Sequence, residues 1–167
     1  NGDGLYEEIY GYGGRSFAIM DGNSGKIIYD SGNDIAVRTA FTGFFNWNED
    51  AGSFDDRSDD KGAEPEAITV GEIDGKTFAF VGLERQGGIM MYDITGIIKP
   101  KFVGYFNGRN FFGDGTKMTG GDISPESLVF IPADKTPPAY KALNNSPLLI
   151  GAYELSGSTA VYQISNN

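Results

Sequence analysis

The 167-residue chain contains no cysteine and no histidine. Those two absences exclude disulfides, thiol nucleophiles, a Ser-His-Asp triad and zinc sites built on His or Cys. Carboxylates, Arg, Lys, Tyr and hydroxyls remain for any chemistry. The lack of cysteine does not by itself fix the redox compartment. Positive charge is also scarce: 13 Lys and Arg stand against 23 Asp and Glu, for a net charge of −10 and a pI near 4.3. Such a surface repels phosphate backbones and anionic headgroups, which argues against nucleic acid and against membrane insertion. No apolar run approaches the ~20 residues needed to span a bilayer. Ala-Leu-rich helical blocks are missing too. The opening Asn1-Gly2-Asp3-Gly4 has no Met and no signal peptide, and reads as the start of a processed or excised piece.

What is present is glycine, with 25 residues, and aromatics at 13%, a mixture that favours short strands and tight turns. Leu5 to Tyr12, Arg15 to Asp21 and Lys26 to Asp30 read as three strands. Asp21-Gly22-Asn23 has the look of a calcium loop, but it lacks the later ligands and the closing Glu, so a hairpin turn is expected. Phe41, Phe44, Phe45 and Trp47 then lead into the acidic run Asn48 to Asp60. That stretch predicts an ordered crossing loop, because the aromatics need something to pack against.

Two stretches share one pattern. Glu64-Pro65-Glu66-Ala67 opens an apolar run, and Ser124-Pro125-Glu126-Ser127 opens another. Strands are expected at Ala67–Ile73, Thr77–Leu83, Ile89–Ile94 and Lys101–Phe106. A second set follows at Ser127–Pro132, Leu148–Tyr153 and Ser158–Ile164. Val81 to Ile94 aligns without gaps on Gly151 to Ile164, pairing Glu84 with Glu154 and Tyr92 with Tyr162. Tandem antiparallel meanders of this length predict an all-β chain, a β-propeller segment of about three four-stranded blades, with a small β-sandwich or barrel as the alternative. The expected division is a partial blade at 1–40, an acidic and aromatic crossing loop at 41–64, a complete blade at 65–120, and a blade lacking its outer strand at 121–167. Too few blades are present to close a ring. The remaining blades of a longer chain, or self-association, are the expected partners.

Several motifs carry a family resemblance. Gly14-Arg15-Ser16-Phe17, Tyr29-Asp30-Ser31-Gly32, Phe54 to Gly62, Glu64-Pro65-Glu66, Gly82-Leu83-Glu84-Arg85, Tyr92-Asp93-Ile94 and Asp122 to Glu126 occur in that order. Together they resemble the C-terminal half of the bacterial choice-of-anchor I secreted proteins. These are often labelled alkaline-phosphatase-like or mesenchyme-specific cell-surface-glycoprotein-like. The resemblance implies a propeller that is secreted or held at the cell surface.

The chemistry centres on carboxylates. In a propeller, Glu66 and Glu126 converge on one end of the central channel, where carboxylates repel unless a cation or protons intervene. Calcium, which takes several oxygen ligands in flexible geometry, is the expected cofactor. Asp59, Asp60, Glu64 and Asp122 lie close by in sequence and complete the candidate metal set with Glu66 and Glu126. Glu84 and Glu154 read as structural, accepting backbone N–H groups from the Gly-rich turns that follow them. Arg57 and Arg85 read as partners of neighbouring acids. Two functions follow. One is an extracellular or cell-surface module for binding or structural use, stabilised by calcium. The alternative is a calcium-dependent phosphoesterase acting on a phosphorylated small molecule, with Arg57, Lys61 and Arg85 as its cations.

Overall fold

The computed structural model describes residues 13–49, 52, 54–143 and 146–165. The strand expected at Leu5 to Tyr12 lies outside that set. All strand pairs are antiparallel. Strands β1 (Ala18–Met20) and β2 (Ile27–Asp30) form a two-stranded sheet. The Asp21 carboxylate closes their hairpin, accepting the N–H of Ser24 at 2.7 Å and that of Asn23 at 3.2 Å. Those bonds are the ordinary use of an Asp at a turn.

A short helix follows, α1 (Asp34–Thr39), where the sequence reading expects none. Its residues are poor helix formers, with Ile35, Val37 and Thr39 all β-branched. Tertiary contacts hold it instead. Ile35 is buried, the Tyr92 hydroxyl donates to Asp34 at 2.9 Å, and Arg38 pairs with Asp34 one turn back.

The central sheet runs β3 (Pro65–Ile73), β4 (Lys76–Leu83), β5 (Ile89–Asp93) and β6 (Lys101–Phe106), in that spatial order. The third sheet runs β7 (Pro125–Ile131), β8 (Leu148–Tyr153) and β9 (Thr159–Gln163). The chain is thus all-β apart from α1 and short 3₁₀ turns, as its composition predicts, and no sheet closes into a barrel among the described residues. Ile73 pairs with Lys76 across a two-residue turn, Asp74-Gly75, in which both residues have positive φ. That conformation matches the twist of the flanking strands.

The central sheet is covered on both faces. Val81, Leu83, Met90 and Tyr92 pack with Phe17 and Ile35 of the N-terminal unit. Phe80 and Ile89 point the other way and pack with Leu128 and Leu149 of the third sheet. The alternation has the period of two that a pleated strand imposes. Burial of this kind stabilises by roughly 1.5–3 kcal/mol for each large side chain.

The crossing loop packs on the loop that precedes β7. Phe44 stacks on Phe111 at 4.0 Å, and Trp47 meets Phe111 edge-on. Arg109, itself buried, donates to the carbonyls of Asn48 at 2.6 Å, Glu49 at 2.9 Å and Arg85 at 2.8 Å. One guanidinium thus bonds three carbonyls.

Candidate functional site

The two Pro-Glu motifs fold alike. Glu64 and Ser124, each just before a proline, hold positive φ values of 52° and 63°. Such values are uncommon for residues other than glycine and cost local strain. They turn each carbonyl toward the neighbouring strand. Glu64 accepts the N–H of Glu84 at 2.7 Å, and Ser124 accepts the N–H of Glu154 at 2.8 Å. One residue further on, each first strand bulges. Pro65 pairs with Leu83 and Ala67 with Gly82, leaving Glu66 as the extra residue; Pro125 pairs with Tyr153 and Ser127 with Ala152, leaving Glu126. A bulge re-aims the side chain it carries. Here it turns Glu66 and Glu126 to the same end of the molecule, beside Glu84.

Glu84 is the hinge of two carboxylate groups. Oxygens of Glu64, Glu66 and Glu84 lie within 4.8 Å of one another, and so do oxygens of Glu84, Glu126 and Glu154. Glu84 is only 4% exposed, while Glu126 and Glu154 are open to solvent. Of the expected metal set, Glu64, Glu66 and Glu126 therefore come together. Asp59, Asp60 and Asp122 belong to neither group. Asp60 pairs with Arg57 at 2.7 Å. Asp59 is exposed on the rim of a recess lined by Arg57, Lys61 and Arg85. Asp122 accepts hydrogen bonds from Ser158 at 2.7 Å and Tyr162 at 3.1 Å, anchoring its loop to the third sheet. Among the described residues the Glu84 carboxylate accepts no backbone N–H from the turn that follows it. Its side-chain ion pair is to Arg85 at 3.2 Å.

The two groups differ in their positive neighbours. Glu64, almost wholly buried, is held by Arg57 and Lys61 and lies 3.2 Å from Arg85 Nε. Arg85 also pairs with Glu49, and Glu49 accepts the Ser124 hydroxyl at 2.9 Å, tying the crossing loop to both motifs. Lys61 reaches Glu66 at 3.5 Å. Among the described residues, Glu126 and Glu154 meet no Lys or Arg.

Electrostatics follow from this arrangement. Burial opposes charge on Glu64, yet Lys61, a hydrogen bond shared with Glu66 and the Arg57 charge outweigh it and hold the carboxyl below its ordinary value. Burial and the bond to Glu64 raise Glu66. Glu84 is pushed up to about 7, first by burial and then by the charges of Glu66, Glu64 and Glu126. A neutral-pH carboxyl between two carboxylate groups can exchange its proton for a cation.

Sequence reasoning missed Glu49, Glu84 and Glu154 as parts of this cleft. For Glu84 and Glu154 the signal existed, because they occupy equivalent places in the repeat. For Glu49 there was none, since its partners lie far along the chain.

Comparison with known proteins agrees with the motifs. The choice-of-anchor I domain model matches residues 1–97, so the Asp122–Glu126 motif lies beyond it. Gigasin-3a of Magallana gigas is 27% identical over 177 aligned positions, which cover 97% of this chain and 60% of that protein. The chain thus spans less than two thirds of that curated relative. No solved structure matches.

Proposed function

Since the chain belongs to the choice-of-anchor I domain family, a membership that points to the cell surface or the medium, we propose that it is a module for binding or structural use whose central and third sheets are clamped by calcium. Glu84, Glu126 and Glu154 are the proposed ligands, with Glu66 at the margin. The observation that carries the reading is the imbalance around Glu84. On one side Glu64 and Glu66 have Arg57, Lys61 and Arg85 within reach. On the other, Glu126 and Glu154 face the same buried carboxyl, and no Lys or Arg among the described residues pairs with them. Calcium suits such a cleft because it accepts several carboxylate oxygens without strict geometry, whereas magnesium demands an octahedron.

The sheets themselves fit successive blades of a propeller. The central and third sheets have the same strand order and matching registers, and they stack face to face. In this reading the missing blades come from a longer parent chain or from self-association. The experiment is a thermal melt of the chain with millimolar calcium, with magnesium and with chelator. Calcium raises the melting temperature most, and Glu126→Gln or Glu154→Gln removes the response. An unchanged melt in all three solutions overturns the clamp.

A phosphoesterase is the second reading, favoured by the convergence of Arg57, Lys61 and Arg85 on one recess. Each of the three already serves a carboxylate, so a phosphate has to displace those pairs. Calcium-dependent release of phosphate from a simple monoester is the measurement that favours it.

A further inference from the structure

We propose that the loop joining β5 to β6 docks on a membrane surface bearing anionic phospholipid, with Lys76, Lys99 and Lys101 taking headgroup phosphates and Ile97 and Ile98 entering the interface. The loop closes in a turn in which the Lys99 N–H donates to the Gly96 carbonyl at 2.9 Å. Its two corner residues are Ile97 and Ile98, 46% and 78% exposed. Neither belongs to a buried cluster. Turn corners ordinarily take Pro, Gly, Asn, Asp or Ser, each for a backbone or hydrogen-bonding reason that isoleucine does not meet. The loop is also tied down. The Ile94 N–H donates to the Thr77 carbonyl at 2.8 Å, the Thr77 N–H donates to Thr95 Oγ1 at 2.9 Å, and Pro100 fixes the exit into β6. An ordered turn thus holds two isoleucines out in water.

Beside them lies a recess of about 320 Å³ lined by Lys76, Asp93, Thr95, Gly96, Lys99 and Lys101. Asp93 is committed to its own loop, accepting the Thr95 N–H at 3.0 Å. Among the described residues none of the three lysines closes an ion pair. Glu72 and Asp74 stand on β3 and its turn, at the edge of the sheet away from β6. The net charge of −10 belongs to the whole chain and does not describe this end. Glu66 and Glu84 gather where β3 starts and β4 finishes, and the strand register puts Lys76, Asp93 and Lys101 at the opposite end of the sheet. The length of β4 separates the two ends by ~23 Å, against a Debye length of ~8 Å, so the far carboxylates are screened. Ammonium groups around an apolar tip suit the membrane boundary, where the isoleucines leave water as the lysines meet lipid phosphates. A soluble polyanion uses the lysines but leaves the isoleucines in water, which is why the membrane is favoured. This inference does not depend on calcium.

The test is flotation of the full chain, in chelator, with vesicles of phosphatidylcholine alone or mixed with phosphatidylglycerol. The expected result is flotation with the mixed vesicles only, and release when the salt is raised to about 0.5 M. Lys99→Gln weakens the partition about fivefold, and Ile98→Ser about tenfold. Both positions are exposed and outside the buried clusters, and an unchanged melting temperature confirms that each variant is folded. The proposal is overturned if the chain does not float with mixed vesicles, or floats equally with phosphatidylcholine alone. It is also overturned if Lys99→Gln weakens binding and Ile98→Ser does not, since the lysines then serve a soluble polyanion.

Discussion

The backbone N–H of Glu84 donates to the carbonyl of Glu64 at 2.7 Å, and this one bond fixes the geometry of the cleft. It holds a nearly buried carboxyl against the start of the neighbouring strand, where the bulge turns Glu66 toward it. The same bond between Glu154 and Ser124 repeats the arrangement in the third sheet. Ser124 replaces Glu64 in that copy, and among the described residues the positive cluster around Glu64 has no counterpart there. The two halves of the cleft therefore share a backbone but differ in charge.

Glu64 holds its own side of the cleft together. Replacing it by Gln leaves Arg57, Lys61 and Arg85 facing a neutral amide. Breaking a buried pair by removing one partner costs roughly 3 kcal/mol. Urea unfolding of Glu64→Gln is expected to show a loss of about that size, reduced to the extent that the partly exposed cations find water. A midpoint equal to that of the native chain contradicts the role given to Glu64.

Glu84 makes stability depend on pH. Its carboxyl titrates near 4.5 in an ordinary environment and is pushed up to about 7 in the fold. The folded form thus holds the proton more tightly than the unfolded form. The contribution is fully present below about 4.5 and fades as the pH rises toward 7. Glu64 works the other way: its lowered value gives stability above the ordinary range that is lost on acidification. In chelator, the native chain is expected to lose on the order of 3 kcal/mol, as an upper bound, between pH ~5 and ~8. Glu84→Gln is expected to flatten that decline. A decline that survives in Glu84→Gln assigns it to another group.

Gly71 is a point of close approach between the central and third sheets. A Cβ placed there runs into the ring of Phe130. Phe130 in turn stacks near Phe80, ring centres 5.8 Å apart. Gly71→Ala therefore forces either the ring or the strand to move, at a cost of about 1–3 kcal/mol. The expected result is a lower melting temperature together with faster exchange in β7. No change in either means that the two sheets are not locked at this point.

The strands were legible because each is short, alternating or apolar, and closed by Gly, Asp-Gly or Pro. Ile89, Met90, Met91 and Tyr92 read as a strand in the sequence and divide between two cores in the fold. Helix α1 was not legible, because Asp34 to Thr39 has weak helical propensity and is held by Tyr92, more than fifty positions away. The Pro-Glu motifs pointed to Glu66 and Glu126 through their repetition. Asp59, Asp60 and Asp122 were grouped with them by nearness along the chain, yet their partners are Arg57, Ser158, Tyr162 and solvent. Glu84 looked local because a lone carboxylate at a strand end usually serves its own turn. Its position between two groups depends on the packing of two sheets, which periodicity does not reveal.

Calorimetric titration of calcium in two buffers of different ionisation enthalpy tests the central claim most directly. If calcium enters beside Glu84, it displaces the proton that burial and repulsion keep there. About one proton is then released per ion near pH 6, falling toward none by pH ~8.5. Glu84→Gln removes the release. Absence of binding heat in both buffers, or a proton release independent of pH, contradicts the account.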